Sequence, residues 1–151
     1  MDKGQLSEFV KKMDESITVT EGKQFVELTV PPSKLHATAA RLRDDQETLF
    51  DFLFNQSGVD YKQGLGVVYH LRSTVLGHSI VLKTIIADRL DPHIDTVSDL
   101  WKTAEFHERE IFDLFGIKFD NHPDLRRFFL EKTAGHPLRK DYVDDINIVT
   151  K

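Results

Sequence analysis

The chain has 151 residues, 40% hydrophobic and 30% charged, with a net charge of −5 and no cysteine. This fits one globular domain long enough to bury a sizeable core. It excludes disulfides, thiolate zinc sites and cysteine-held iron–sulfur clusters in these residues, and no apolar run approaches the roughly 18 residues of a membrane span.

Taken in chain order, Leu6, Phe9, Val10 and Met13 fall on one face of a short amphipathic helix. ITVTEGKQFVELTV then predicts a β-hairpin with Glu21-Gly22-Lys23 as its turn. Pro31-Pro32 cannot continue a strand interior but can open a helix, whose buried stripe is Leu35, Ala39 and Leu42. LFDFLF, residues 49–54, suits a helix end or a strand, and Gly58 is expected to break it. GLGVVYHLRS and HSIVLKTIIAD are strands rich in Val and Ile, joined by a turn near Gly77, with Asp91-Pro92 as the stop. The N-terminal MDKGQLSEF lacks the apolar region of a secretion signal, so a cytoplasmic location is expected.

A long helix is predicted from about Val97 to Phe115, capped by Thr96 or Ser98 and ended by Gly116. Val97, Leu100, Trp101, Ala104, Ile111 and Phe115 share one stripe at about 100° per residue, and Glu108 falls in its middle. A carboxylate buried there costs on the order of several kcal/mol unless paired. Glu108 is therefore expected to meet a cation from outside its helix, with the arginines downstream as donors. Arg109 and Asp113, at i,i+4, form a candidate surface ion pair. Phe106 and Phe112 hint at a second buried face.

The expected architecture is α+β: a two-layer α/β sandwich with a mixed sheet over residues 1–116, then an extended docking tail over 117–151. The stretch HPDLRRFFLEKTAGHPLRKDY, residues 122–142, contains two His-Pro steps followed by leucine and basic residues. Each proline fixes its own φ and pushes the histidine before it towards extended geometry. Leu125, Phe128, Phe129, Leu130 and Leu138 can anchor such a ribbon, and Arg126, Arg127 and Arg139 offer forked donors. From Lys118 to Asp141 six basic residues stand against four acidic ones, whereas the remainder is acidic. A pre-organised, basic ribbon with apolar anchors suits docking on a protein surface, its own or a partner's. His122 and His136 as metal ligands, and the Arg/Lys cluster as a free phosphate or RNA site, are the competing readings. A His107, Glu108, Glu110 and Asp113 acid/base group is a further one. No P-loop, GxGxxG, HExxH or GxSxG motif is present.

The blocks Glu108-Arg109-Glu110, Asp113 to Ile117, His122 to Arg127 and Gly135 to Tyr142 together resemble the C-type subunit of respiratory NADH:quinone oxidoreductase (complex I). GVDY at Gly58–Tyr61, VVYHLRS at Val67–Ser73 and Asp99-Leu100-Trp101 are similar to that family as well. Asn121 stands where the family usually has glycine. The resemblance implies a cofactor-free, non-catalytic subunit of the hydrophilic arm, peripheral on the cytoplasmic face of the membrane. Its implied partners are the D-type subunit, which is the quinone-site protein, and the iron–sulfur subunits; iron–sulfur clusters, FMN and quinone belong to those partners. Related subunits occur in membrane-bound hydrogenases and in dehydrogenases with other electron donors. The interface residues it implies are Glu108, Arg109, Asp113, His122, Asp124, Arg126, Arg127, His136, Arg139, Lys140 and Asp141, with no catalytic role for any of them.

Overall fold

The computed structural model describes residues 3–123; residues 1–2 and 124–151 lie outside the described part. The elements are α1 (Lys3–Met13), β1 (Thr18–Glu21), β2 (Val26–Thr29), a 3-10 turn (Pro32–Lys34), α2 (Leu35–Asp44), β3 (Phe52–Tyr61), β4 (Gly64–Arg72), β5 (Ser79–Ile86), β6 (His93–Asp95), α3 (Ala104–Phe115) and β7 (Lys118–Asp120). Five strands form one mixed sheet in the order β1-β2-β5-β4-β3, in which β2 and β5 run parallel and the other neighbours antiparallel. A parallel pair needs a long connection, and here it contains α2 and the whole β3–β4 hairpin.

Alternation along the strands makes one sheet face apolar. Val26 and Leu28 of β2, Ile80 and Leu82 of β5, and Leu65, Val67, Tyr69 and Leu71 of β4 are all fully buried. Their registers place them side by side: Leu28 opposes Leu82, which opposes Tyr69 across the next ladder. Helix α1 packs on β1 and β2, α3 packs on β3, and Leu35, Ala39 and Leu42 of α2 join the same core. The opposite sheet face carries Phe52 and Phe54, both partly exposed.

Three local expectations change. Gly58 lies inside β3, opposite Val67, and does not break the strand. Its missing side chain makes room for α3: a Cβ there would come within 2.6 Å of the Phe115 ring. Second, α3 begins at Ala104, not near Val97, and its N-cap residue is Thr103 with no side-chain cap bond. Val97 and Trp101 are nevertheless buried as the stripe requires. They sit in tight turns, Trp101 N bonding Val97 O at 2.9 Å and Trp101 Nε1 reaching the Phe50 carbonyl at 2.9 Å. Thr103 Oγ1 instead donates to the Leu53 carbonyl of β3. Third, β6 and β7 form a small parallel sheet, too short to announce itself by alternation. Ile117 and Phe119 are buried in the core, so the packed body continues past the boundary expected at Gly116. Gly116 itself does end α3 in the left-handed conformation, with φ 78°.

Candidate functional site

Four of the interface residues implied by the resemblance, Glu108, Arg109, Asp113 and His122, are described, and all four gather around α3 and the turn after β7. Glu108 is fully buried. The helix positions it over β3 and beside the turn that follows β6. Gln56 Nε2 of β3 donates to its Oε2 at 3.1 Å, the Val97 amide donates to the same oxygen at 3.0 Å, and the Thr96 hydroxyl donates to Oε1. Thr96 is itself fixed by the hydrogen bond from its amide to the Asp120 carbonyl of β7, 2.9 Å. One carboxylate thus joins α3, β3 and the β6–β7 sheet.

Glu108 is expected to meet a cation from outside its helix; His122 stands beside it, and the downstream arginines named as donors lie outside the described residues. The hydrogen-bond donors on Glu108 among the described residues are neutral, and His122 Nε2 stands 3.9 Å from Oε1. Neutral donors only partly offset desolvation. Burial consequently raises the Glu108 carboxyl to about 7, against the opposing pull of the bonds from Thr96, Val97 and Gln56. Burial first, and then the Glu108 charge, hold the Tyr69 phenol well above its ordinary range. Tyr69 and Gln56 are cross-strand neighbours on the covered face. The Tyr69 hydroxyl and the Gln56 Oε1 have no hydrogen-bond partner among the described residues.

Arg109 is half-buried, and Asp113 is fully buried rather than at the surface. Nine residues beyond Ala104, Asp113 lies about 180° around the helix from it. Helix α3 therefore buries two faces, and the second centres on Asp113, because Phe106 is 47% exposed. Both Arg109 and Asp113 are engaged in interactions. His122 sits in a turn whose amide bonds the Phe119 carbonyl at 3.2 Å, and its Nε2 is 3.0 Å from the Glu105 carbonyl. Asn121 just before it has φ 67°, the left-handed region that glycine or asparagine accepts most readily. That accounts for asparagine where the resembled family has glycine. Asp124, Arg126, Arg127, His136, Arg139, Lys140 and Asp141 lie outside the described residues. Among the described residues no three His, Asp or Glu side chains gather as a metal site, and no helix is long and apolar enough to cross a membrane.

Sequence reasoning missed Gln56, Tyr69, Thr96 and Val97 as the cradle of Glu108. The available signal was a glutamine at an inward-facing strand position, which needs a buried partner.

Comparison with known proteins places these features in a family. Residues 28–145 match the model of the 30 kDa subunit of respiratory-chain NADH dehydrogenase. The NADH-quinone oxidoreductase C/D subunit of Phocaeicola vulgatus is 45% identical over 122 residues, covering 80% of this chain and 23% of that protein. The NADH-quinone oxidoreductase C subunit of Roseiflexus castenholzii is 45% identical over 116 residues, covering 74% of this chain and 66% of that protein. The chain therefore spans about a quarter of the length of the C/D relatives it matches. Among solved structures, a chain of the membrane-bound sulfane sulfur reductase, an archaeal respiratory membrane complex, superposes with a TM-score of 0.80 at 24% identity. The match covers 98% of this chain and 89% of that one, a likeness of fold. With more than half its length matched by the family model, this chain belongs to the family of the 30 kDa subunit of respiratory-chain NADH dehydrogenase.

Proposed function

We propose that the chain is a cofactor-free, non-catalytic subunit of the hydrophilic arm of an NADH:quinone oxidoreductase, peripheral on the cytoplasmic face. It holds the quinone-site, D-type subunit and neighbouring iron–sulfur subunits. The observation that carries the reading is the C/D relatives. In Phocaeicola vulgatus and Bacteroides thetaiotaomicron a segment 45–46% identical to this chain forms 23% of a single polypeptide named as a C/D subunit. Two modules joined in one chain must sit within a linker's reach of each other, which supports contact between the C-type and D-type parts.

Within this role the residues divide by position. Arg109 and the basic residues Arg126, Arg127, Arg139 and Lys140, with Asp124, His136 and Asp141, form the proposed interface. Glu108 and Asp113 have no exposed surface and the His122 side chain is buried, so these three act from behind that interface, Glu108 by holding α3 against β3 and the β6–β7 sheet.

The test is to shorten the chain after Pro123, which leaves β7 and its core residues intact, and to purify the complex from membranes. Loss of the D-type subunit with a normally folded body supports the reading. Full retention of the D-type subunit overturns the grip assigned to residues 124–151. The fold shared with the sulfane sulfur reductase chain favours a second reading, the equivalent subunit of a membrane complex with another electron donor. Mass spectrometry of the co-purifying subunits separates the two.

A further inference from the structure

A sheet face without a covering helix ordinarily alternates to polar side chains. One end of this sheet breaks that rule on the face turned away from α1 and α3. Phe25, His70, Phe54 and Phe52 run across it as a chain of ring contacts, with centroids 6.1, 5.5 and 6.2 Å apart. An open cleft of about 540 Å³ beside Phe25 and His70 has Val68 and Val81 in its lining. The turn between β4 and β5 adds Val75 and Leu76, and Asp51 ties that turn to the start of β3 by accepting from the Thr74 amide at 2.8 Å. Of the six large hydrophobic side chains exposed among the described residues, Phe52, Phe54, Val75 and Leu76 are four. Exposed apolar residues usually scatter singly over a monomer, whereas a contiguous run of them marks a contact surface.

Charge decides among the possible occupants. Glu27 and Lys83, on neighbouring strands β2 and β5, compensate each other with their charged atoms 3.6 Å apart. Lys23 borders the cleft, Lys3 reaches the turn beside it to donate to the Gly22 carbonyl at 2.8 Å, and Arg72 donates to Ser79 Oγ at 3.0 Å. Among the described residues none of these three has a carboxylate partner, and the neighbouring Asp51 is held by Thr74. The rim is therefore basic, on a chain of net charge −5. A second copy docked face to face about a two-fold axis would set basic rim against basic rim. Residues 124–151 would bring Arg126 and Arg127 beside Phe128 and Phe129, and Arg139 beside Leu138, again like against like. We propose that this face docks a protein partner whose apolar side chains are flanked by Asp and Glu, the arrangement complementary to a basic rim. The contact is separate from the one assigned to residues 124–151, and it rests on the reading of the chain as a subunit of a larger assembly.

The experiment puts a benzophenone photo-crosslinking side chain in place of Phe54 in the full chain, irradiates the complex purified from membranes, and identifies the joined peptides by mass spectrometry. The expected product links position 54 to another subunit, at a peptide where Asp or Glu flanks apolar residues. Arg72→Glu reverses one rim charge and should lower the yield of that product about tenfold. Arg72 is exposed, so the variant chain by itself should melt as the parent does. Cross-links confined to a second copy or to residues 124–151 of the same chain overturn the proposal. So do a partner peptide without acidic residues, an unchanged yield in Arg72→Glu, and other subunits that co-purify with no cross-link to position 54. If no other subunit co-purifies at all, the subunit reading itself fails and this contact falls with it.

Discussion

The cost of holding an ionised carboxylate inside this fold can be measured by replacing Glu108 with glutamine and, separately, with leucine. Its folded-state pKa is raised from 4.5 to about 7, so the folded protein binds this proton more tightly than the unfolded chain. The associated stability is fully present below about pH 4.5 and is lost as pH climbs through about 7. That interval corresponds to about 3 kcal/mol. Glutamine keeps one oxygen for the Val97 and Gln56 amides, which share Oε2, places its amide nitrogen opposite the Thr96 hydroxyl, which can accept, and carries no charge. Its new amide hydrogens can be met by Gln56 Oε1, which has no partner in the parent among the described residues. The Glu108→Gln variant should therefore match the parent near pH 4.5 and exceed it by up to about 3 kcal/mol at pH 8. Leucine leaves the Val97 and Gln56 amides without an acceptor, at about 1–3 kcal/mol each, while the Thr96 hydroxyl still has Ser98 Oγ. It should be the weaker variant at every pH. Urea unfolding followed by circular dichroism at a series of pH values gives the midpoints and checks that the slope is unchanged. Parallel pH profiles for parent and Glu108→Gln, or equal losses in the glutamine and leucine variants, would refute the reasoning.

Three further substitutions probe the elements around this node. Gly58→Ala places a methyl within 2.6 Å of the Phe115 ring and should cost about 1–3 kcal/mol through displacement of α3 from β3, read by chemical denaturation. Asn121→Val forces a β-branched residue to φ 67° and should lose about 1–2 kcal/mol, whereas Asn121→Gly should be neutral or slightly stabilising in the same assay. Trp101→Phe removes the donor that satisfies the Phe50 carbonyl and should cost about 1–3 kcal/mol, most simply followed by the far-ultraviolet circular dichroism melt.

Periodicity alone determined much of this protein. The α1 stripe, the first hairpin with its turn at Gly22, the proline-opened α2, the β4–β5 pair and the helix stop at Gly116 were all legible, because each is set by local alternation, a proline or a glycine. The same pattern showed that a carboxylate lay on the buried stripe of α3. Local pattern could not decide what met that carboxylate. Its partners Gln56, Thr96 and Val97 are 52, 12 and 11 residues away in sequence, and only the packing of α3 across β3 and the β6–β7 sheet brings them together. Gly58 misled for a related reason: a glycine reads as a break until the neighbouring helix that needs its missing side chain is in place. The start of α3 was misjudged because Val97 and Trp101 bury the same stripe from turns as they would from a helix. Strands β6 and β7 are too short for alternation to register, and they exist because each completes the other's hydrogen bonds. Side-chain pattern along a chain specifies which groups must leave water; the meeting of distant elements decides whether a buried charge finds a cation, neutral donors or a proton.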